Sequence, residues 1–327
     1  MNIIVLLVLI FTAATIVSTA LQDVNILQEM KPSQLIRKIP QVKLGVSEPP
    51  PSWFGNKENE QGNPRWTNEN WLKSRFHFSF AEYRNPRNMG FGILRVMNDD
   101  LVQPDRGFGA HPHREVEICT YVVKGKLTHK DSMGTSETLG RGAIQFMTAG
   151  TGVTHSEHNL DKNDPLRFVQ IWINTRTHGL KPNYGSMEGG NCAARTNQWS
   201  HLVSDVKDET PTAVKINQDA NIHVTEVMPG QSVDFELKAG RQAYLLCVEG
   251  DAHLKMTAAD ATAGSGSGSG LEEEQQLQQH DSAEVFGPST LTIAPLDSSA
   301  TTNESTPGAA HVLLVEMAYT GVGRTDL

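Results

Sequence analysis

The segment from residue 107 to residue 159 begins with GFGAHPHREVE and ends with THSEHN. Each end carries metal-type ligands two residues apart: His111 with His113, and His155 with Glu157. In a β-strand, side chains at positions i and i+2 leave the same face, whereas a helix brings together residues three or four positions apart. Each pair can therefore point two ligands at one spot if its backbone is extended. Two such strands folded against each other predict a site of three histidines and one carboxylate.

The sequence between the two pairs has the pattern of short strands joined by turns. Residues 118–123 and 143–147 are mostly apolar or β-branched, and turns are predicted at 131–134 and 149–152. Glycine and proline are plentiful, with 28 and 16 residues, which suits many short strands joined by turns. Neither a helix-length amphipathic stretch nor a glycine-rich nucleotide-binding loop stands out. The sequence therefore predicts an all-β protein.

Length, charge and cysteine content narrow the function classes. At 327 residues the chain can form one large domain or two of ordinary size. Its formal net charge of −9 argues against direct nucleic-acid binding, because no basic excess exists to neutralise phosphates. The three cysteines, Cys119, Cys192 and Cys247, lie far apart in the sequence. They predict neither a disulfide framework nor a cysteine zinc site.

The amino terminus has the composition of a targeting segment. Residues 3–17 form an apolar run without charge, and small residues follow at 18–20. A run of about fifteen residues is short for a bilayer-spanning helix and typical of a signal-peptide core. We therefore predict that residues 1–20 are a signal peptide or signal anchor, which would direct the protein to the secretory pathway or outside the cell. The basic start of most signal peptides is missing, so a cytoplasmic or organellar location stays open.

The chain after residue 20 divides into an irregular leader and two strand-rich parts. Residues 21–74 contain three consecutive prolines and a polar run, and they predict a leader and a loop. Residues 75–190 hold both ligand pairs and predict the N-terminal, metal-binding domain. A long glycine-containing loop separates it from a second predicted domain at 200–327.

The second domain repeats the first in a weaker form. Residues 245–254 resemble residues 121–129, and this alignment places Glu236 and Lys238 opposite the histidine pair of the first copy. The second copy has therefore lost that pair, and we predict no metal site in it.

Two low-complexity inserts interrupt the second domain. The glycine–serine and glutamine-rich run at 258–283 and the segment at 297–310 predict flexible loops. The remaining strand-like runs predict a second barrel beside the first.

The same residues resemble two sequence motifs of the cupin superfamily, an HxH followed by Glu and Gly, and a glycine-rich turn followed by His and Asn. The matching residues are His111, His113, Glu117, Gly125, Gly142, Gly152, His155 and Asn159. More specifically, HPHR at 111–114, EICTY at 117–121, DSMG at 131–134 and GTGVTHSE at 150–157 resemble the pirin family, especially its bacterial-type members with quercetin 2,3-dioxygenase activity. The resemblance is strong over residues 75–175 and weak over the second barrel.

The resemblance implies a bicupin, two jelly-roll type barrels in tandem, with one metal ion in the N-terminal barrel. The implied ligands are His111, His113, His155 and Glu157. Glu117 is the carboxylate ligand in many other cupins, so it stays an alternative to Glu157 and is otherwise expected in a second shell or in the pocket wall. Three imidazoles and one carboxylate leave coordination positions open. This set suits one divalent transition metal, Fe(II) first, with Mn(II), Co(II), Ni(II) or Cu(II) as alternatives.

The function implied by the resemblance is the cleavage of flavonols such as quercetin with O2, with release of carbon monoxide. The expected partners are therefore a small aromatic substrate and O2. Glu157 would serve as the general base toward the 3-hydroxyl group. Some pirin relatives instead act as metal-dependent regulators that bind protein partners, and this non-enzymatic function is the alternative. A metal-free storage-type barrel is a third interpretation.

Overall fold

The computed structural model describes residues 34–58, 70–190, 192–259, 271–296 and 308–321. Over these ranges the chain forms 22 β-strands and three short 3-10 helices, Gln41–Lys43, Trp53–Gly55 and Cys192–Arg195. The predicted all-β fold of two barrels in tandem is confirmed. None of the helices in these ranges is long and apolar enough to cross a membrane. The predicted targeting segment at 1–20 lies outside the described residues.

The first barrel consists of a seven-stranded and a four-stranded antiparallel sheet. Its strands are β2 (Gly45–Ser47), β3 (Leu72–Phe76), β4 (Leu94–Val102), β5 (Arg106–His113), β6 (Val116–Lys124), β7 (Leu127–Asp131), β8 (Ser136–Leu139), β9 (Ile144–Thr148), β10 (Val153–Asn159), β11 (Leu166–Asn174) and β12 (Asn183–Met187). The large sheet has the order β12-β9-β6-β11-β4-β3-β2, and the small sheet has the order β5-β10-β7-β8. The two ligand pairs therefore lie on neighbouring strands of the small sheet.

The second barrel has the same two-sheet plan. Its strands are β1 (Ile36–Ile39), β13 (Ser200–Asp205), β14 (Val214–Ile216), β15 (Ala220–Val227), β16 (Val233–Leu237), β17 (Arg241–Glu249), β18 (Ala252–Ala258), β19 (Glu272–Leu277), β20 (Ser282–Phe286), β21 (Ser289–Pro295) and β22 (Ala310–Ala318). The sheet orders are β1-β20-β17-β22-β15-β13-β14 and β16-β21-β18-β19. Strand β16 occupies the place that β5 has in the first barrel. Glu236 and Lys238, which align with the histidine pair, are exposed there.

The interpretation of residues 21–74 as irregular is wrong for part of that segment. It contains β1, β2 and most of β3. Strand β1 pairs antiparallel with β20, with Ile36 opposite Val285, so the N-terminal strand completes the sheet of the second barrel. At three to five residues, these strands are too short to show a reliable alternation, and their pairing partners are far away in the sequence.

The predicted flexible inserts are also shorter than expected. Residues 272–277 form the edge strand β19. It pairs antiparallel with β18, and Gln275 lies opposite Leu254 of β18. The glutamate- and glutamine-rich sequence hides this strand, because an edge strand exposes most of its side chains to water. Strand β20 occupies residues from 282 onward, and β22 begins at Ala310. Residues 260–270 and 297–307 lie outside the described ranges.

The two large sheets pack face to face through one apolar cluster shared by both barrels. This cluster includes Phe78, Met97 and Tyr121 from the first barrel and Tyr244 and Leu313 from the second. Burial of apolar area contributes about 25 cal/mol per Å², so this contact stabilises the tandem arrangement. The contact between the two large sheets also buries both faces of β6, since one face points into the first barrel and the other toward the second barrel.

Candidate metal centre

Strand pairing brings the two predicted ligand pairs together. Strands β5 and β10 are antiparallel, with His155 opposite His111 and Val153 opposite His113. The register shifts between His155 and Glu157, which marks a β-bulge. The two predicted ligand pairs therefore meet because the strands that carry them, β5 and β10, pair directly.

The three histidine rings converge on one point. The ligand nitrogens of His111, His113 and His155 all lie within 4.8 Å of one another. The Nε2 atoms of His111 and His155 are 3.1 Å apart. His155 is buried, and the other two rings are half-buried. In the described part of the chain, both groups of side chains that could hold a metal ion lie in the first barrel.

Hydrogen bonds assign the tautomer of His111. Its Nδ1–H donates to the carbonyl oxygen of Gly109 at 2.7 Å, which leaves the Nε2 lone pair free. A neutral imidazole with its other nitrogen held by a backbone carbonyl is the usual arrangement of a metal-binding histidine.

A chain of three side chains assigns the tautomer of His155. Asp131 Oδ2 accepts a hydrogen bond from His129 Nε2 at 3.0 Å. Nδ1 of His129 lies 3.5 Å from Nδ1 of His155 and can accept its proton. His155 Nε2 then carries a free lone pair that faces the lone pair of His111. Two such lone pairs 3.1 Å apart repel unless they share a cation, so these residues fit a metal ion.

Burial keeps the three histidines neutral. Removal from water, together with a smaller effect of neighbouring histidines, lowers the pKa of His155 to about 2 and that of His113 to about 4. Desolvation also lowers the pKa of His111. Neutral imidazole is the form that binds metals, so the cluster is ready to bind at neutral pH without losing protons.

Glu157 lies beside the histidines and is held by amide donors. Its Oε1 accepts a hydrogen bond from Gln145 Nε2 at 2.9 Å, and its Oε2 accepts one from Gln170 Nε2 at 2.7 Å. A ligand atom of Glu157 lies within 4.8 Å of ligand atoms of His129 and His155. His155 thus joins the carboxylate to the three-histidine group. Burial raises the pKa of Glu157 to about 7.

Glu117 lies neither in the wall of the aromatic cavity nor beside the histidines, in contrast to the predicted second-shell or pocket-wall position. Its carboxylate accepts hydrogen bonds from Thr148 Oγ1 at 2.7 Å and Asn217 Nδ2 at 3.5 Å, and it does not belong to either histidine group. The reason is the turn at Glu115, where φ is +55°. This turn ends β5 and starts β6 in the other sheet, so the alternation of the HxH strand does not continue to Glu117.

An aromatic cavity of about 280 Å³ opens beside the histidines. His111, His113 and Glu157 form part of its wall. The aromatic side chains that line it are Trp53, Phe54, Trp71, Phe76, Phe80, Phe108 and Trp172. The ring of Trp172 lies 4.8 Å from that of His113, and the ring of Phe54 lies 5.5 Å from that of His111. A flat aromatic molecule placed in this cavity would touch the histidine cluster.

Several of these residues were not predicted from the sequence. His129, which none of the motifs in the sequence singles out, is buried beside His155. Trp53, Phe54 and Trp71 belong to the segment interpreted as irregular. Single glutamines within otherwise apolar strands were the available signal for Gln145 and Gln170, because a polar residue in a buried run needs a partner.

Comparison with known proteins agrees with this geometry. Residues 58–173 match the family model described as Pirin, and residues 202–295 match the quercetinase C-terminal cupin domain. A quercetin 2,3-dioxygenase of Escherichia coli strain K12 is 36% identical over 208 residues, covering 64% of this chain and 86% of that protein. A pirin-like protein of Caulobacter vibrioides is 36% identical over 194 residues, covering 59% and 82%.

A solved structure shows the same architecture. The bacterial pirin YhhW of Escherichia coli, in complex with nickel(II), superimposes with a TM-score of 0.65 at 25% identity. The alignment covers 88% of this chain and all of that one, 100%. Both barrels, the histidine cluster and the sequence matches therefore lead to one conclusion: the chain belongs to the pirin family and has its tandem-cupin fold.

Proposed function

We propose that the protein is a metal-dependent dioxygenase that cleaves flavonols of the quercetin type with O2. The observation that carries the proposal is the contact between three neutral histidines with convergent nitrogens and a cavity walled by aromatic rings. A substrate that is aromatic and also chelates a metal through neighbouring oxygens matches both features. The relatives named quercetin 2,3-dioxygenase support the same substrate class.

His111, His113, His155 and Glu157 would hold the metal ion. Three nitrogens and one oxygen suit Fe(II), and also Mn(II), Co(II), Ni(II) or Cu(II), better than a closed structural zinc site. When bound, such an ion supplies Lewis-acid and template chemistry for the flavonol and O2. The ligand nitrogens need no deprotonation at neutral pH, because burial already keeps the rings neutral.

Glu157 would accept the proton of the flavonol 3-hydroxyl group. Its carboxylate lines the cavity beside His111 and His113, so it can reach a substrate oxygen that faces the histidines. The amide groups of Gln145 and Gln170 hold one oxygen each and keep the carboxylate in place. The aromatic wall excludes water from the reacting face of the substrate. The overall reaction consumes one O2 and releases one carbon monoxide for each flavonol opened to its ester.

Aerobic turnover by the full-length, metal-loaded protein tests the proposal. Quercetin absorbance, O2 uptake and carbon monoxide should change in equal amounts. Glu157→Gln should lose about 100-fold or more in kcat, the usual contribution of a general base. Glu117→Gln is the matched control, since Glu117 is a second buried carboxylate outside the site, and it should retain turnover. Absence of flavonol loss in the wild-type protein, together with a stoichiometric protein partner in a pull-down, would favour the regulator instead.

A further inference from the structure

A row of polar side chains runs across the large sheet of the first barrel, on the neighbouring strands β9, β6, β11 and β4. Thr120 lies opposite Gln145 on one neighbouring strand and opposite Gln170 on the other. Gln170 in turn lies opposite Asn98 on β4. Gln145 and Gln170 donate to Glu157, so that half of the row serves the metal centre. The rest of the row lies on β4, and its side chains are not among the hydrogen-bond donors to Glu157.

Asn98 and Asp100 form that other half. They are two residues apart on β4, so both side chains leave the same face of the strand. Both line the aromatic cavity, and they are only 4% and 3% exposed. The Oδ1 atoms of Asn98 and Asp100 have no hydrogen-bond partner among the described residues. Leaving a buried polar atom unpaired costs about 1–3 kcal/mol. Two such oxygen atoms in one cavity wall therefore indicate a place where a ligand binds.

The protonation state of Asp100 suits a neutral ligand group. Burial raises the pKa of Asp100 to about 8; a hydrogen bond from Ser74 opposes this shift, and the charges of Asp99 and Glu157 add to it. At neutral pH the side chain is therefore a carboxylic acid, which can both donate and accept a hydrogen bond. A phenolic hydroxyl group has the same two capacities. A cation would find no charge to pair with at this position.

We propose that Asn98 and Asp100 form a hydroxyl-recognition subsite, which binds a phenolic hydroxyl of the substrate distinct from the oxygens that face the histidines. This assignment rests on the proposed flavonol function and narrows it to polyhydroxylated flavonols. The subsite selects substrates by the penalty for leaving its oxygens unpaired, because an analogue without the hydroxyl fills the cavity but cannot satisfy them.

Equilibrium binding to the full-length, metal-loaded protein without O2 tests the subsite. The ligands are 3-hydroxyflavone, whose single hydroxyl is the one next to the carbonyl, 3,5,7-trihydroxyflavone and quercetin. Quenching of tryptophan fluorescence reports binding, since Trp53, Trp71 and Trp172 line the cavity. Wild-type protein should bind at least one polyhydroxylated flavonol about tenfold or more tighter than 3-hydroxyflavone. Equal affinity for all three ligands overturns the subsite even if quercetin is turned over.

Substitution locates the preference. Asp100→Leu should bring the affinity ratio close to one by weakening the polyhydroxylated ligands, whereas Asp100→Asn, which keeps a donor and an acceptor, should retain most of it. Gln103→Leu is the matched control: Gln103 is 1% exposed and its side-chain atoms also lack partners, but it does not line the cavity. A full preference in Asp100→Leu, or its loss in Gln103→Leu, contradicts the assignment. If Asp100→Leu does not fold, the wild-type ligand series still tests the subsite, because equal affinity for all three ligands overturns it. Absence of any flavonol binding to the wild type overturns the subsite and the proposed function together.

Discussion

Nδ1 of His129 lies 3.5 Å from Nδ1 of His155. The opposite nitrogen of the same His155 ring faces His111 at 3.1 Å, and the opposite nitrogen of His129 donates to Asp131. The Asp131 carboxylate is therefore connected to the three-histidine cluster through two imidazole rings. Such outer partners fix the orientation and tautomer of a metal-binding ring.

Removing His129 should weaken metal binding without removing a ligand. In His129→Phe, the His155 ring loses the acceptor that holds its proton on Nδ1, and we expect metal affinity to fall about 10- to 100-fold. Competition with a chromophoric chelator measures this change. His178→Gln serves as control, because His178 is exposed and pairs with Glu115 outside the cluster. Unchanged affinity in His129→Phe would show that His155 is oriented by packing alone.

The number of metal ions bound per chain tests whether the metal site lies in the first barrel alone. We expect one ion per chain in the wild type and none in His155→Ala after dialysis, because His155 belongs to both candidate groups. His223→Ala in the second barrel should keep one ion, although His223 stacks on His201 with ring centroids 4.1 Å apart. Elemental analysis gives the numbers. A second ion that disappears with His223→Ala would place a site in the second barrel.

The pH dependence of stability should report the buried acid Asp100. Its pKa is raised from 3.8 to about 8, so the folded protein keeps a proton that the unfolded chain releases above pH 4. This contribution is fully present below pH 3.8 and is lost as the pH rises toward 8. The free energy of unfolding of Asp100→Asn, relative to wild type, should therefore increase by about 1.4 kcal/mol per pH unit between pH 5 and 7. Urea unfolding at several pH values measures it, and a flat difference would mean that Asp100 is ionised in the folded state.

The N-terminal strand should stabilise the second barrel. Ile36 is fully buried and lies in the core of that barrel, where β1 pairs with β20. Ile36→Ala should lower the free energy of unfolding by about 2–5 kcal/mol. Val42→Ala, at a position that is 85% exposed, is the control and should change it by less than about 0.5 kcal/mol. Equal stability of the two variants would show that β1 does not hold the sheet.

The sequence alone was sufficient for the fold class and for the convergence of the histidines. Both follow from a period of two: His111 and His113, or His155 and Glu157, can meet only on extended chains, and short alternating runs between turns predict an all-β chain. These are local properties, because they depend on neighbours along one strand. The binding of metal by these side chains stays a prediction, with elemental analysis as its test.

Tertiary structure alone decided which distant residues complete the site. The turn at Glu115 carries Glu117 into the other sheet and leaves Glu157 beside the histidines. Strand pairing places His129 behind His155, and the aromatic wall includes Trp53 and Trp71 from a segment without strand periodicity. Strand β1 belongs to the second barrel although it precedes the first in the chain. Such contacts depend on the register between strands and on the packing of two barrels, and a short sequence pattern carries no information on either.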